Sequence, residues 1–228
     1  MNTNTTAAQR FRNQLWNNLT KLGKYTLLNL TINEKEVLYQ LEEFKDNWCP
    51  YNQVKDPNNN RWGLPITSQS GDVMDNYHLN SFGYMQQYHN RQLDESDFTV
   101  PTSVYYAVPD LKKLVDIFFP DIGRVHLLRV DKGGYFPPHR DFQGMAPEYF
   151  RIVCVFGNCE KNDYFHVLDN QQCQLDRATV YFVNFQLTHS VFSFTDNVYN
   201  LILTVKLNQR THDLLLLMAT NDFSLSLK

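Results

Sequence analysis

The stretch "FPPHRDF" places a histidine and an aspartate two residues apart, directly after two prolines. Side chains of an extended chain alternate between two sides, so residues i and i+2 share a side. One imidazole nitrogen of His139 and one carboxylate oxygen of Asp141 can therefore reach a common point. Imidazole and carboxylate groups are both metal ligands, so this pair predicts part of a metal site.

A third ligand has to come from elsewhere in the chain, and the candidate is His189 in "FQLTHSVFSF", where another predicted strand begins. Two histidines and one carboxylate on one side form the ligand set of non-haem Fe(II) oxygenases, which leaves positions open for a cosubstrate and O2. Each residue also has an ordinary interpretation. Asp141 fits a turn cap, His139 a surface residue, and His189 a hydrogen-bonded core histidine.

The letters "HRD" also occur in the catalytic loop of protein kinases. That loop requires an asparagine five residues after its aspartate, and here the position is Ala146. The chain has neither a glycine-rich phosphate loop nor a DFG sequence. These differences exclude the kinase interpretation.

The elements that must position the ligands change in character near Pro120. Before it, "YTLLNLTI" (25–32) predicts a first strand, and 33–48 predicts a helix with a capping-box pattern at Asn33. A second helix is predicted over 109–119 from apolar residues at helical spacing. We expect these N-terminal elements to cover a core formed by the rest of the chain.

After Pro120 the sequence becomes a series of short runs of β-forming residues separated by turn residues. This spacing is typical of a jelly-roll barrel rather than a parallel sheet. The predicted fold is mainly β, one domain over 1–228: an N-terminal cover at 1–120, a jelly-roll core at 121–208 and a tail at 209–228. The predicted core strands are 124–130, 151–156, 163–169, 178–185, 189–194 and 199–207.

Composition narrows the possible partners and location. The 228 residues carry a net charge of −3, with lysine and arginine scattered and no basic stripe of the kind that binds nucleic acid. The N-terminus lacks the apolar segment of a signal peptide, and no apolar run approaches the length of a membrane span. We expect a cytoplasmic protein with no nucleic-acid or membrane partner, whose four cysteines are reduced.

Three stretches of the core resemble a known family: "RVHLLRVDKGGYFPPHRDF", "EYFRIVCVF" and "THSVFSF…YNLILTVKL". They are similar to the Fe(II)/2-oxoglutarate-dependent dioxygenases of the double-stranded β-helix fold, above all the aspartyl/asparaginyl β-hydroxylase and L-proline 3-hydroxylase branch. The resemblance covers about residues 120–208. It implies that His139, Asp141 and His189 bind Fe(II), and that 2-oxoglutarate and O2 are cosubstrates. The implied reaction hydroxylates an unactivated C–H bond of an amino acid or peptidyl side chain.

The chain departs from this family at the cosubstrate anchor. The family places an arginine about ten residues after the distal histidine, where it grips the far carboxylate of 2-oxoglutarate. Residues 198–200 read Val-Tyr-Asn, and Lys206 lies too far along the strand to replace the arginine. Arg151 opens the strand after the HxD pair, as in this branch, and is the expected anchor. Arg129 is the second candidate.

Substrate contacts are expected from a long loop at 51–71, which is rich in Asn, Pro, Gly and Ser. Arg61 and Trp62 on this loop are candidates to hold a carboxylate and cover the site, although a solvated arginine is the ordinary interpretation. Tyr135, beside the HxD pair, either lines the pocket or packs. Two other functions stay open: a cupin-like metal-binding protein that uses the same triad without 2-oxoglutarate, and a metal-free interaction domain.

Overall fold

The computed structural model describes residues 6–51, 60–75, 93–141 and 147–220. The α-helices in these ranges are α1 (Ala7–Thr20), α2 (Glu34–Leu41), α3 (Ser103–Ala107), α4 (Pro109–Phe118) and α5 (Gln209–Ala219). Two 3-10 helices cover Glu42–Asn47 and Glu95–Phe98.

The N-terminal strands are β1 (Tyr25–Thr31), β2 (Cys49–Pro50), β3 (Arg61–Pro65), β4 (Thr67–Ser68) and β5 (Val100–Pro101). The remaining strands are β6 (Ile122–Val130), β7 (Tyr135–His139), β8 (Tyr149–Gly157), β9 (Tyr164–Leu168), β10 (Gln171–Cys173), β11 (Thr179–Val183), β12 (His189–Ser193) and β13 (Val198–Lys206).

Strands β6 to β13 form a jelly roll, which confirms the predicted fold class. The larger sheet has the order β1-β11-β8-β13-β6-β3-β2, and the smaller sheet has the order β10-β9-β12-β7. Adjacent strands pair antiparallel, and the chain crosses repeatedly between the two sheets. Their inner faces enclose the space in which the candidate site lies.

Strand β8 is buried on both faces because the larger sheet lies between the helices and the smaller sheet. Its side chains alternate, so Phe150 and Ile152 join the cluster formed with the helices, whereas Val153 and Val155 face the second sheet. A strand covered on both sides has to be apolar throughout, which explains the run "RIVCVF". Arg151 is the exception, and it lies on the inner face beside the site.

The predicted N-terminal elements are confirmed, with one change at the cap of α2. The Asn33 side chain accepts a hydrogen bond from the backbone N–H of Glu36, as predicted. The Glu36 side chain, however, accepts a hydrogen bond from Gln40, and the backbone N–H of Asn33 donates to Asp110. Asp110 of α4 therefore accepts the hydrogen bond from the backbone N–H of Asn33 that Glu36 accepts in a complete capping box.

The prediction of a loop over 51–71 is wrong for residues 61–65 and 67–68, which form β3 and β4. Strand β3 pairs with β6 and extends the larger sheet, with Leu64 fully buried. Tertiary pairing has overridden a turn-rich local composition. Residues 52–59 of the predicted loop lie outside the described ranges.

The segment predicted as a tail contains α5, whose Leu215 and Met218 are buried in the main core. The Asn29 side chain of β1 donates a hydrogen bond to the Met218 carbonyl and ties this helix to the sheet. Within the described residues, no helix has the length and apolar character required to span a membrane.

Candidate metal centre and cavity

Strand pairing brings the two candidate histidines together. His139 ends β7 and His189 begins β12, and the register places them directly opposite each other. Their ring centroids are 4.1 Å apart. Strand β7 is the edge of its sheet, which accommodates Pro137 and Pro138 because a proline cannot donate to a neighbouring strand.

Asp141 lies just beyond β7, where its backbone N–H donates to the Phe185 carbonyl. Its Oδ1 is 3.2 Å from Nε2 of His139 and 3.6 Å from Nε2 of His189. Adjacent ligands of an octahedral ion with bonds of about 2.1 Å are about 3 Å apart. One ligand atom from each of the three residues lies within 4.8 Å of the other two, so the donor set fits a metal ion.

Hydrogen bonds orient both imidazoles. Nδ1 of His139 lies 2.7 Å from the Pro137 carbonyl, and Nδ1 of His189 lies 3.2 Å from the Leu187 carbonyl. A carbonyl oxygen only accepts, so Nδ1 is the donor in each ring and Nε2 keeps its lone pair in the neutral form. This second set of contacts is typical of metal-binding histidines.

The second oxygen of Asp141 is held by Arg151, whose Nε lies 2.7 Å from Oδ2. Burial raises the pKa of Asp141, but Arg151 and the two imidazoles outweigh it and hold the pKa well below its ordinary value. Burial lowers the pKa of His139, yet the neighbouring Asp141 carboxylate raises it above its ordinary value. Asp141 is therefore ionised and offers Oδ1 to the common point.

Glu95 forms a buried bridge between two arginines behind this carboxylate. Its side chain is 4% exposed, with Oε1 3.4 Å from Arg151 and Oε2 3.5 Å from Nε of Arg124. A Cβ at Gly123 would come within 2.7 Å of the Glu95 Cβ, so this close approach requires glycine on β6. Thr204 accepts a further hydrogen bond of 2.8 Å from Arg151.

The triad opens into a cavity of about 390 Å³ between the two sheets. Its wall includes three guanidinium groups and two carboxylates, and the apolar part comes from both sheets and the β11–β12 connection. The charged residues are Glu95, Arg124, Arg140, Asp141 and Arg151, and the apolar ones include Leu128, Phe136, Phe185, Val191 and Ile202.

Tyr164, His166 and Asn200 form a part of the cavity wall that we call the far wall, because Asn200 is distant from Thr204, the residue that contacts Arg151. Asn200 lies four residues along β13 from Thr204, about 13 Å on an extended strand. The Tyr164 hydroxyl donates to Oδ1 of Asn200 over 2.6 Å. All three side chains line the cavity and are buried. Asn200 has no charge, and burial favours the neutral forms of Tyr164 and His166.

Four of the residues predicted from the sequence are not among the described residues that line the cavity. Arg129 pairs with Asp131 at 3.2 Å and lies 5.3 Å from the ring centroid of Trp62. Arg61 lies 4.4 Å over the ring of Phe136, which does line the cavity. Tyr135 is 45% exposed on β7. The site roles of these residues stay predictions.

Glu95, Arg124 and His166 were not predicted as site residues. Arg124 had a partial signal in "RVHLLRV", because Arg124 and His126 lie two residues apart and so share one face of a strand. Glu95 had none, since "LDESDF" reads as a solvated turn. Only tertiary packing brings this glutamate under β6 and β8.

No protein-family model and no curated protein matches this chain. Among solved structures, it is similar to a prolyl hydroxylase from Trichoplax adhaerens in complex with a peptide fragment of the hypoxia inducible factor oxygen degradation domain. The TM-score is 0.53 at 12% identity, and the match covers 90% of this chain and 94% of that one. At this identity the likeness establishes the fold alone, over nearly the whole chain.

Two other structures match a smaller part of the chain. One is a predicted oxalate decarboxylase from Thermotoga maritima, with 11% identity, a TM-score of 0.31 and coverage of 38% of this chain and 69% of that one. The other is KdgF from Halomonas sp., with 13% identity, a TM-score of 0.30 and coverage of 40% and 74%.

Proposed function

We propose that this protein is a non-haem Fe(II)- and 2-oxoglutarate-dependent dioxygenase that hydroxylates an amino acid or a peptidyl side chain. The observation that carries the proposal is the convergence of Nε2 of His139, Nε2 of His189 and Oδ1 of Asp141 at one end of a jelly-roll cavity. These three atoms would hold Fe(II), which supplies the O2 chemistry when bound.

The charges of the cavity support an anionic cosubstrate. Three guanidinium groups and two carboxylates line it, and a divalent ion at the triad would add two further positive charges. A dianion such as 2-oxoglutarate offsets this excess of positive charge. Arg151 was the anchor expected from the sequence, and that role stays a prediction.

The remaining side chains would position the substrate and exclude water. The apolar wall formed by Phe136, Phe185 and Val191 surrounds the space beside the triad and suits a C–H bond better than a charged group. His139 is 40% exposed, so the substrate would enter at this rim. The fold resembles a prolyl hydroxylase that holds a peptide, which makes a peptidyl substrate the first to test.

Membership of the aspartyl/asparaginyl β-hydroxylase and L-proline 3-hydroxylase branch rests on the sequence resemblance alone and stays a prediction. The cytoplasmic location rests on composition and also stays a prediction.

A second candidate is a cupin-like protein that binds a metal with the same triad but does not use 2-oxoglutarate. The observation that favours it is the far wall, where Tyr164 and Asn200 form a neutral pair at a distance from the arginines. The two candidates share the metal ligands and differ in the cosubstrate.

The test adds Fe(II) and 2-oxoglutarate to the protein under anaerobic conditions, with each component omitted in turn. We expect a weak visible charge-transfer band that requires both components, followed by succinate formation when O2 is admitted. His139→Ala should abolish the band while the circular dichroism spectrum is unchanged. Iron binding without the band would favour the second candidate, and absence of iron binding would contradict both.

A further inference from the structure

The far wall contains a buried imidazole that has no hydrogen-bond partner in the described part of the chain. His166 is 4% exposed, and neither Nδ1 nor Nε2 makes a hydrogen bond there. Buried polar groups are nearly always satisfied, because leaving one unpaired costs stability. The ring lines the cavity, so a bound molecule can supply the missing partner.

Strand register gives the position of His166 relative to the triad. Leu168 of β9 lies opposite His189, and His166 lies two residues further, about 7 Å along the strand. The Phe185 ring stacks on His166 with centroids 5.8 Å apart, and its centroid is 4.4 Å from that of His189. A short molecule bound at the candidate metal ligands could therefore reach the His166 imidazole with its other end.

The neighbours of His166 add hydrogen-bond donors without adding charge. The Tyr164 hydroxyl occupies Oδ1 of Asn200, which leaves the amide N–H groups of Asn200 as donors. Burial lowers the pKa of His166 to about 3, so the ring is neutral and has one N–H donor. The wall thus offers N–H groups from two neutral side chains.

At the other end of the cavity, each guanidinium nitrogen of Arg151 already has a contact. Its Nε contacts Asp141, and its two terminal nitrogens contact Thr204 and Glu95. This guanidinium holds a metal-ligand carboxylate in place. An anionic group that extends toward the far wall has to find its donors there.

We propose that His166 and Asn200 form a subsite for the distal carboxylate of a 2-oxo dicarboxylic acid whose other end lies at the triad. This inference rests on the proposed function. A carboxylate oxygen would accept one hydrogen bond from the imidazole N–H and others from the Asn200 amide. Such bonds to an ionised acceptor are strong when water is excluded, so neutral donors are sufficient.

A second cavity beside His166 determines which substitution of this residue is suitable for a test. Tyr164 and His166 also border a cavity of about 200 Å³ on the side of Cys159 and Cys173. Truncation of His166 to alanine would join the two cavities, so a loss of affinity could come from lost packing as well as from the lost hydrogen-bond donor. His166→Leu keeps most of the volume and removes both nitrogens, and His166→Gln restores an amide donor.

The test compares two ligands on the Co(II)-loaded 228-residue protein under anaerobic conditions: 2-oxoglutarate, and 2-oxovalerate, which carries a methyl group in place of the distal carboxylate. The change in the visible Co(II) spectrum reports binding. The wild type should prefer 2-oxoglutarate, and His166→Leu should reduce its affinity about tenfold. The affinity of His166→Leu for 2-oxovalerate should equal that of the wild type. His166→Gln should recover part of the preference for 2-oxoglutarate.

His212→Leu is the matched control, because His212 is also a buried imidazole but lies on α5 and is not among the described residues that line the cavity. It should leave both affinities unchanged. If His166→Leu keeps the full preference, or weakens both ligands equally, the inference is wrong while the dioxygenase proposal stands. If neither ligand binds to the wild type, the proposed function fails, and the inference fails with it.

Discussion

Glu95 supports one of the three candidate metal ligands, Asp141, through Arg151. It receives one terminal nitrogen of Arg151, whose Nε then faces Oδ2 of Asp141. This arrangement directs the remaining oxygen, Oδ1, toward the two histidines. The sequence pattern indicated the three candidate ligands, whereas the carboxylate that holds Arg151 against Asp141 comes from a distant 3-10 helix.

We predict that Glu95→Gln lowers the affinity for Co(II) or Mn(II) about tenfold, the scale of changes behind a metal ligand. Without the Glu95 charge, Arg151 pairs more strongly with Asp141 and competes with the ion. Glu34→Gln is the control, because Glu34 also pairs with an arginine, Arg177, but is not among the described residues that line the cavity. Metal titration measures the effect, and an unchanged affinity in a folded Glu95→Gln protein would contradict this role.

Helix α5 lies outside the jelly roll but contributes buried side chains to the main core, so we expect it to add to the free energy of unfolding. Leu215 is fully buried against the main core, and Leu217 on the same helix is 39% exposed. We predict that Leu215→Ala lowers the free energy of unfolding by about 2–5 kcal/mol, because it leaves a cavity. Leu217→Ala should change it by less than about 0.5 kcal/mol. Urea denaturation of both variants measures this, and equal effects would contradict the placement of the helix.

Strand β9 adds a pH dependence through His166. The unfolded imidazole has an ordinary pKa near 6.5, and burial lowers the folded pKa to about 3. Below pH 6.5 the unfolded state binds a proton that the folded state does not, so stability falls with falling pH until about pH 3.

We predict that between pH 6.5 and 5 the wild type loses about 1.5 kcal/mol more of its unfolding free energy than His166→Leu. Urea denaturation at the two pH values measures the difference. Parallel losses in the two proteins would show that the folded imidazole takes up the proton, and would contradict a buried neutral ring.

In the whole molecule, the candidate metal ligands His139 and His189 come together only when β7 and β12 pair. An ion that binds the folded state and not the unfolded state raises stability by about 2.7 kcal/mol at a hundred times its dissociation constant. We predict that Mn(II) raises the midpoint of thermal unfolding, that a chelator reverses the increase, and that His139→Ala abolishes it. An equal increase in the variant would place the binding site elsewhere.

Much of the fold could be predicted because local pattern and burial agree. The β-forming runs after Pro120 and the apolar spacing of 109–119 correspond to β-strands and to α4. The predicted loop at 51–71 failed where pairing with β6 converts a turn-rich segment into β3. The pairing of β3 depends on a distant strand, which local composition does not describe.

The mainly β class and the candidate ligands could be predicted from local patterns. Runs of β-forming residues between turns indicate strands, and alternation along an extended chain places His139 and Asp141 on one side. The surroundings of these ligands depend on tertiary structure. The pairing of His139 with His189, the bridge from Glu95 to Arg151, and the neutral far wall at His166 all join residues far apart in the chain. Such contacts depend on strand register and packing between sheets, which no single stretch of the sequence specifies.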